Sequence, residues 1–110
     1  MNQFPIPRNY QDTLDMFSFV LLGAPEFKGA PVKYSFTLDD VMESLQAGVA
    51  GVSSRSENPE AQALFHQCCK EICVTHNFFK EGKLSEAYRQ IQVARDLFKA
   101  GAQIAPQRRG

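Results

Sequence analysis

The sequence predicts an all-α domain: a compact bundle of four helices with a proline-containing N-terminal arm. Three observations lead there. Four segments repeat apolar residues at helical spacing, each with capping or breaking residues at its ends. No Asn-Gly hairpin signal is present. A chain of 110 residues, 44% hydrophobic and 22% charged, can build one core and has no room for a second.

Residues 1–9, with Pro5 and Pro7, read as an extended arm. The first helix runs from about Tyr10 to Leu22, with Asn9 able to cap its start. Tyr10, Leu14, Phe17 and Leu21 recur at spacings of four, three and four, and Met16, Phe19, Val20 and Leu22 widen the stripe. Gly23 and then Pro25 end it. Residues 24–36, with Pro25, Gly29 and Pro31, form a connector that packs Tyr34 or Phe36 onto the bundle.

Thr37 caps the second helix, Asp40 completes a capping-box-like pair, and Phe36 can staple onto Val41. Leu38, Val41, Met42, Leu45, Val49 and Val52 mark a narrow apolar face. Gly48 and Gly51 lie on or beside it, where each costs about 1 kcal/mol relative to Ala. They either admit a close neighbour or let the helix fray. Ser53 to Asn58 is a polar loop.

Asn58 caps the third helix and Pro59 occupies its first turn. Ala61, Phe65, Cys68, Ile72, Thr75 and Phe79 follow at alternating spacings of four and three, and Gly82 stops the helix. The fourth helix follows Ser85, with Ala87, Ile91, Ala94 and Phe98 on one face and Tyr88, Val93 and Leu97 flanking it. Gly101 and Pro106 end it, and 105–110 is a loose tail. So short a turn makes the last two helices antiparallel neighbours.

His66, Cys69, Cys73 and His76 fall on one stripe of the third helix at spacings of three, four and three, a donor set suited to zinc or copper. The stripe is about 15 Å long at 1.5 Å per residue, so four ligands on one straight helix cannot meet at one ion. The plainer reading makes Cys68, Cys69 and Cys73 small fillers beside the core, with no cofactor or metal. Three cysteines within six residues are no disulfide framework, and they suit a reducing cytoplasm. No nucleotide-binding glycine loop, paired-carboxylate signature or catalytic triad pattern is present, so a non-enzymatic protein is expected. The first ten residues hold two prolines and no apolar segment, unlike a secretory leader. The apolar stretch from Met16 to Ala24 is far shorter than the ~20 residues a membrane span needs.

Twelve basic and twelve acidic residues cancel, yet unevenly. Residues 1–58 hold four basic and seven acidic side chains; residues 59–110 hold eight and five. The fourth helix is expected to turn Arg89, Gln92, Arg95 and Lys99 outward. A nucleic-acid-reading helix would look partly like this, as would any solvated helix face. Asp96 within the patch and the overall neutrality disfavour nucleic acid.

Residues 71–98 resemble a single tetratricopeptide-type helical hairpin. The run from Phe78 through Gly82 to Ala87 reads like the turn of that repeat, with Ala87 where a small residue allows close helix contact. Ile91 and Ala94 continue its spacing, and Val74 and Phe78 fit its first helix. Thr75 stands where a smaller residue is usual, and Lys99 stands where the closing proline belongs. The resemblance implies a packing style and a peptide-binding habit; a solenoid would need about three such repeats.

Nine Phe and three Tyr are many for so small a bundle. Phe4, Tyr10, Phe19, Phe27 and Tyr34 are expected to exceed what one core can take, leaving an aromatic surface patch of the kind that marks an interface. The alternative is that arm and connector cover the protein's own core. The functional expectation is a small protein-binding module: an adaptor, a secretion-type chaperone, an immunity protein or a homodimeric regulator. Its partner is another protein or a second copy, met through Phe4, Tyr10, Phe27, Tyr34, Arg89, Arg95 and Lys99. A nucleic-acid-binding regulator using the last helix, or a metal or redox sensor using the Cys/His stripe, is the alternative from another class.

Overall fold

The computed structural model describes residues 4–28 and 36–104. Among them are four helices and no strand: α1 (Tyr10–Gly23), α2 (Leu38–Ser54), α3 (Pro59–Lys80) and α4 (Leu84–Ile104). The caps explain the starts. Asn9 Oδ1 accepts the Asp12 N–H at 2.8 Å, and Asn58 Oδ1 accepts from Glu60 and Ala61 at 2.8 and 3.1 Å. Thr37 and Asp40 complete a reciprocal capping box, each side chain accepting the other residue's backbone N–H at 3.2 and 3.0 Å.

α4 starts at Leu84, earlier than the expected position after Ser85, because the chain reverses more tightly. Gly82 sits at φ +77°, in the left-handed region that glycine enters without a Cβ penalty. Its N–H donates to Phe79 and that of Lys83 to Phe78, at 3.1 and 2.9 Å. These two bonds form a Schellman motif that satisfies the last carbonyls of α3.

Contacts along the chain set the directions of the helices. Pro7, just before α1, meets Gly48 late in α2; His76 late in α3 meets Asp39 early in α2. Phe65 meets Phe98 and Phe79 meets Tyr88 across α3 and α4. Tyr10 meets Phe98, while the Ala24 carbonyl accepts from Tyr88 Oη at 2.5 Å. Successive helices are therefore antiparallel, and α4 closes the ring against α1. Phe17, Met42, Leu45, Phe65, Ile72, Ile91 and Phe98 fill the centre without solvent exposure. The buried hydroxyls of Thr13 and Thr75 donate to the Asn9 and Glu71 carbonyls one turn back.

The arm lies across the outer side of α1 and α2. Phe4 packs against Phe19 and Phe36, with ring centroids 5.9 and 4.9 Å apart. The Arg8 carbonyl accepts from the Arg55 guanidinium at 2.9 Å. Gly48 resolves its two readings in favour of close approach, but the neighbour is the buried Pro7 rather than a helix. Of the connector, 24–28 and Phe36 are described; Tyr34, Pro31 and the tail 105–110 lie outside the described residues.

Two glycine substitutions separate these effects. Alanine favours a helix by about 1 kcal/mol over glycine, several degrees in Tm for a domain of this size. Gly51→Ala should show that gain, since its Cβ would meet only the end of the long Arg55 side chain, at an ordinary contact distance of 3.4 Å. Gly48→Ala should lose it, because its Cβ would stand 2.8 Å from Pro7 Cγ and 3.0 Å from Thr13 Oγ1. Thermal melts of the two variants check this; equal shifts would mean that the arm is not seated on Gly48.

Candidate functional site

The aromatic residues expected at the surface are mostly turned inward. Phe27 is only 7% exposed, and its ring stacks on Phe19 at 4.9 Å and meets Phe36 edge-on at 5.6 Å. It reaches there with φ +54°, an uncommon value for a bulky residue, using space left by Gly23. A Cβ on Gly23 would lie 2.9 Å from the Phe27 ring. Tyr10 stacks on Phe98 at 5.2 Å, and Phe4 and Phe19 are half-buried. Phe4, Phe19, Phe27 and Phe36 thus form a second small core between the arm, α1 and the described ends of the connector, while Tyr10 joins the main core. Rings in mutual contact remove more apolar surface from water than rings left separately exposed.

The basic residues of α4 also divide. Arg89 is exposed, but Arg95 and Lys99 are half-buried, against the expectation that all three point outward. The helical period places Arg95 and Lys99 on the Tyr88 side of α4, towards α1, and Arg89 a third of a turn away. Arg95 Nε is buried without a hydrogen-bond partner. Its stem serves packing, as long cationic side chains do at the edge of a core.

The Cys/His stripe faces α2. His76 Nε2 lies 2.5 Å from Asp39 Oδ1, and Gln46 Nε2 donates to Cys73 Sγ at 3.0 Å. His66 is exposed, away from that edge. Among the described residues, no three His, Cys, Asp or Glu side chains converge on a point that could hold a metal ion. Burial, reinforced by the neighbouring Cys69 and Glu71, pushes the Cys68 thiol far above its ordinary range. Burial and then Cys73 push Cys69 in the same direction.

A different surface remains open. On the outer side of the α3–α4 hairpin, Leu64 and Phe78 of α3 line up with Leu97 and Ile104 of α4, all half-buried. Val74 and Val93 stand beside them, 38% and 41% exposed. The polar centre of this seam is Glu71, which accepts from Gln67 at 2.7 Å along α3 and from Gln90 across the seam. On the other hairpin, Met16 and Phe19 of α1 line an open groove beside the arm, where Ile6 is 58% exposed, and Leu22 near the end of α1 is 90% exposed. The signal for the open seam is legible in the sequence as a second stripe at Leu64, Phe78, Val93, Leu97 and Ile104. The core periodicity of α3 and α4 is stronger and overlaps it, so Val93 and Leu97 read as flanks of the core face.

Among the described residues, no helix is long and apolar enough to cross a membrane. The chain matches no protein-family model, no curated protein and no solved structure.

The thiols give a direct check on α3. Alkylation of the native protein should modify the exposed Cys73 first and Cys69 slowly, leaving Cys68 untouched until unfolding. A folded pKa raised above the unfolded one stabilises the protein below the ordinary thiol range and loses that contribution as pH rises above it. The alkaline fall in Tm should therefore be steeper in the wild type than in Cys68→Ala. Equal slopes would show that the Cys68 thiol is not buried.

Proposed function

We propose that the protein is a non-enzymatic protein-binding module of a reducing cytoplasm, and that it meets its partner through the outer face of α3 and α4. One observation carries the reading. On the outer side of α3 and α4, Val74 and Val93 stand exposed on two neighbouring helices among half-buried Leu64, Phe78, Leu97 and Ile104. An apolar core with a polar rim is the anatomy of a protein interface. Arg89, Lys70 and Asp96 supply that rim; none has an ion-pair partner among the described residues. Of the aromatic residues expected to meet a partner, Phe4 and Phe27 pack with Phe19 and Phe36, and Tyr10 stacks on Phe98, so the reading rests on the α3–α4 face rather than on them.

The resemblance of this hairpin to a peptide-binding repeat is in keeping with the reading. Neither nucleic acid nor a metal gains a specific observation in its favour. A photo-activated cross-linking side chain at Val93, in the intact cell, should give a protein adduct. The same group at the exposed Ala50 on α2 should not. No adduct at position 93, or equal adducts at both positions, would overturn the assignment of the face.

A further inference from the structure

We infer that Cys69 and Cys73 are a dithiol switch in the middle of α3: a hydroperoxide oxidises the pair to a disulfide, and the disulfide opens the helical turn between them. The inference concerns the α2 side of α3 and stands apart from the binding face assigned above.

Placement comes first. Four residues apart on one helix, the two side chains lie one above the other on the edge that faces α2. Gln46 of α2 donates to Cys73 Sγ at 3.0 Å, and His76, three residues further on, meets Asp39 of α2. Cys73 is exposed and Cys69 half-buried, so a small oxidant reaches the first sulfur while the second waits one turn away. Cys68 is fully buried in the core, turned about 100° from Cys69 by the helical period, and takes no part.

The oxidation runs in two steps. The Cys73 thiolate attacks the terminal oxygen of a hydroperoxide ROOH. The O–O bond breaks, the sulfur gives up two electrons, and RO⁻ leaves and takes a proton from water. Cys73 is then a sulfenic acid. The Cys69 sulfur attacks that sulfur, the S–S bond forms and the S–O bond breaks. Hydroxide leaves and is released as water with the proton that Cys69 gives up. The order of the steps follows from the surroundings. Burial, and then charge on Cys73, push the Cys69 thiol up, so Cys73 reacts first. A neutral sulfenic acid at Cys73 removes the second of those causes, and Cys69 ionises more readily at the stage that needs it.

The helix cannot hold the product. Cβ atoms four residues apart on a helix stand about 5–6 Å from one another, whereas a disulfide brings them to about 3.5–4.5 Å. The turn between them must yield the difference. The adjoining turn is already compromised: the Glu71 carbonyl accepts Thr75 Oγ1 at 2.9 Å, a bond that bends helices. Residues 69–73 therefore leave helical geometry when the bond forms. A bond under such strain is easily reduced, so thiol reductants restore the dithiol and the helix.

The test treats the reduced full chain with hydrogen peroxide. Tryptic cleavage after Lys70 separates the two cysteines, so a disulfide between them appears in the mass spectrum as two linked peptides. Fragmentation between Cys68 and Cys69 tells which of the two is joined. The expected result is a Cys69–Cys73 bond within one chain. Far-UV circular dichroism should weaken by about one helical turn, ~4 residues, and recover with dithiothreitol. Cys69→Ser should stop at the sulfenic acid, which dimedone traps on Cys73, and Cys73→Ser should leave Cys69 reduced under the same treatment. No linked peptides, a bond to Cys68, a disulfide between two chains, or an internal disulfide with unchanged circular dichroism would each overturn the proposal. So would oxidation of Cys69 in Cys73→Ser at the wild-type rate.

Discussion

Phe98 is the side chain on which the bundle depends. Its ring lies 5.2 Å from Tyr10, 5.6 Å from Phe17 and 5.6 Å from Phe65, so one residue of α4 ties both ends of the sequence together. Such a cluster needs room, and Gly101 supplies it one turn on. A Cβ there would stand 2.7 Å from the Phe65 ring, which has no exposed side to move into. Glycine inside α4 is thus a packing requirement that outweighs its cost in helix propensity. The same ring fixes where α1 sits, and so where the arm preceding α1 can reach.

The opposite end of α1 is organised by a separate group of rings. Phe4, Phe19, Phe27 and Phe36 come from the arm, from α1 and from both ends of the connector, and none belongs to α3 or α4. Their packing brings the α1–α2 half its own cover. The larger hairpin has its two helices joined by only three residues, too few to fold back over its outer side. The asymmetry of the surface follows from the lengths of the connections.

Helix positions were legible because caps and breakers are local chemistry. Asn9, Thr37–Asp40, Asn58–Pro59 and Gly82 act on backbone groups within four residues, so their roles are written in adjacent letters. The fate of the aromatic residues was not. Whether Phe27 is exposed depends on Gly23, on its own left-handed backbone and on rings from Phe19 and Phe36, a combination that no single periodicity encodes. The basic residues of α4 illustrate a different limit. Charge alone suggests a common face, but Arg95 and Lys99 fall on the edge towards α1, and only the ring closure of the bundle shows that this edge is occupied. The open seam of α3 and α4 lay between these cases: its apolar letters are visible, but its vacancy depends on where the arm goes.

Glu71 sets the character of that seam. Gln67 and Gln90 both donate to its carboxylate, so the charge is partly satisfied within the chain before anything docks. Covering the seam with apolar side chains therefore does not strand a bare carboxylate, which would cost far more than the surrounding leucines and valines return. Yet two amide donors cannot replace a full hydration shell, and some desolvation cost remains. A wholly aliphatic seam would favour permanent association. A seam with a hydrogen-bonded carboxylate near its middle favours association that can be reversed, and it rejects partners that place another acid opposite Glu71. The rigid hairpin beneath it limits the ordering cost of binding, since both helices are already fixed by Phe65, Ile72, Ile91 and Phe98. A pre-ordered platform of modest area with a polar centre is suited to specific, reversible contact.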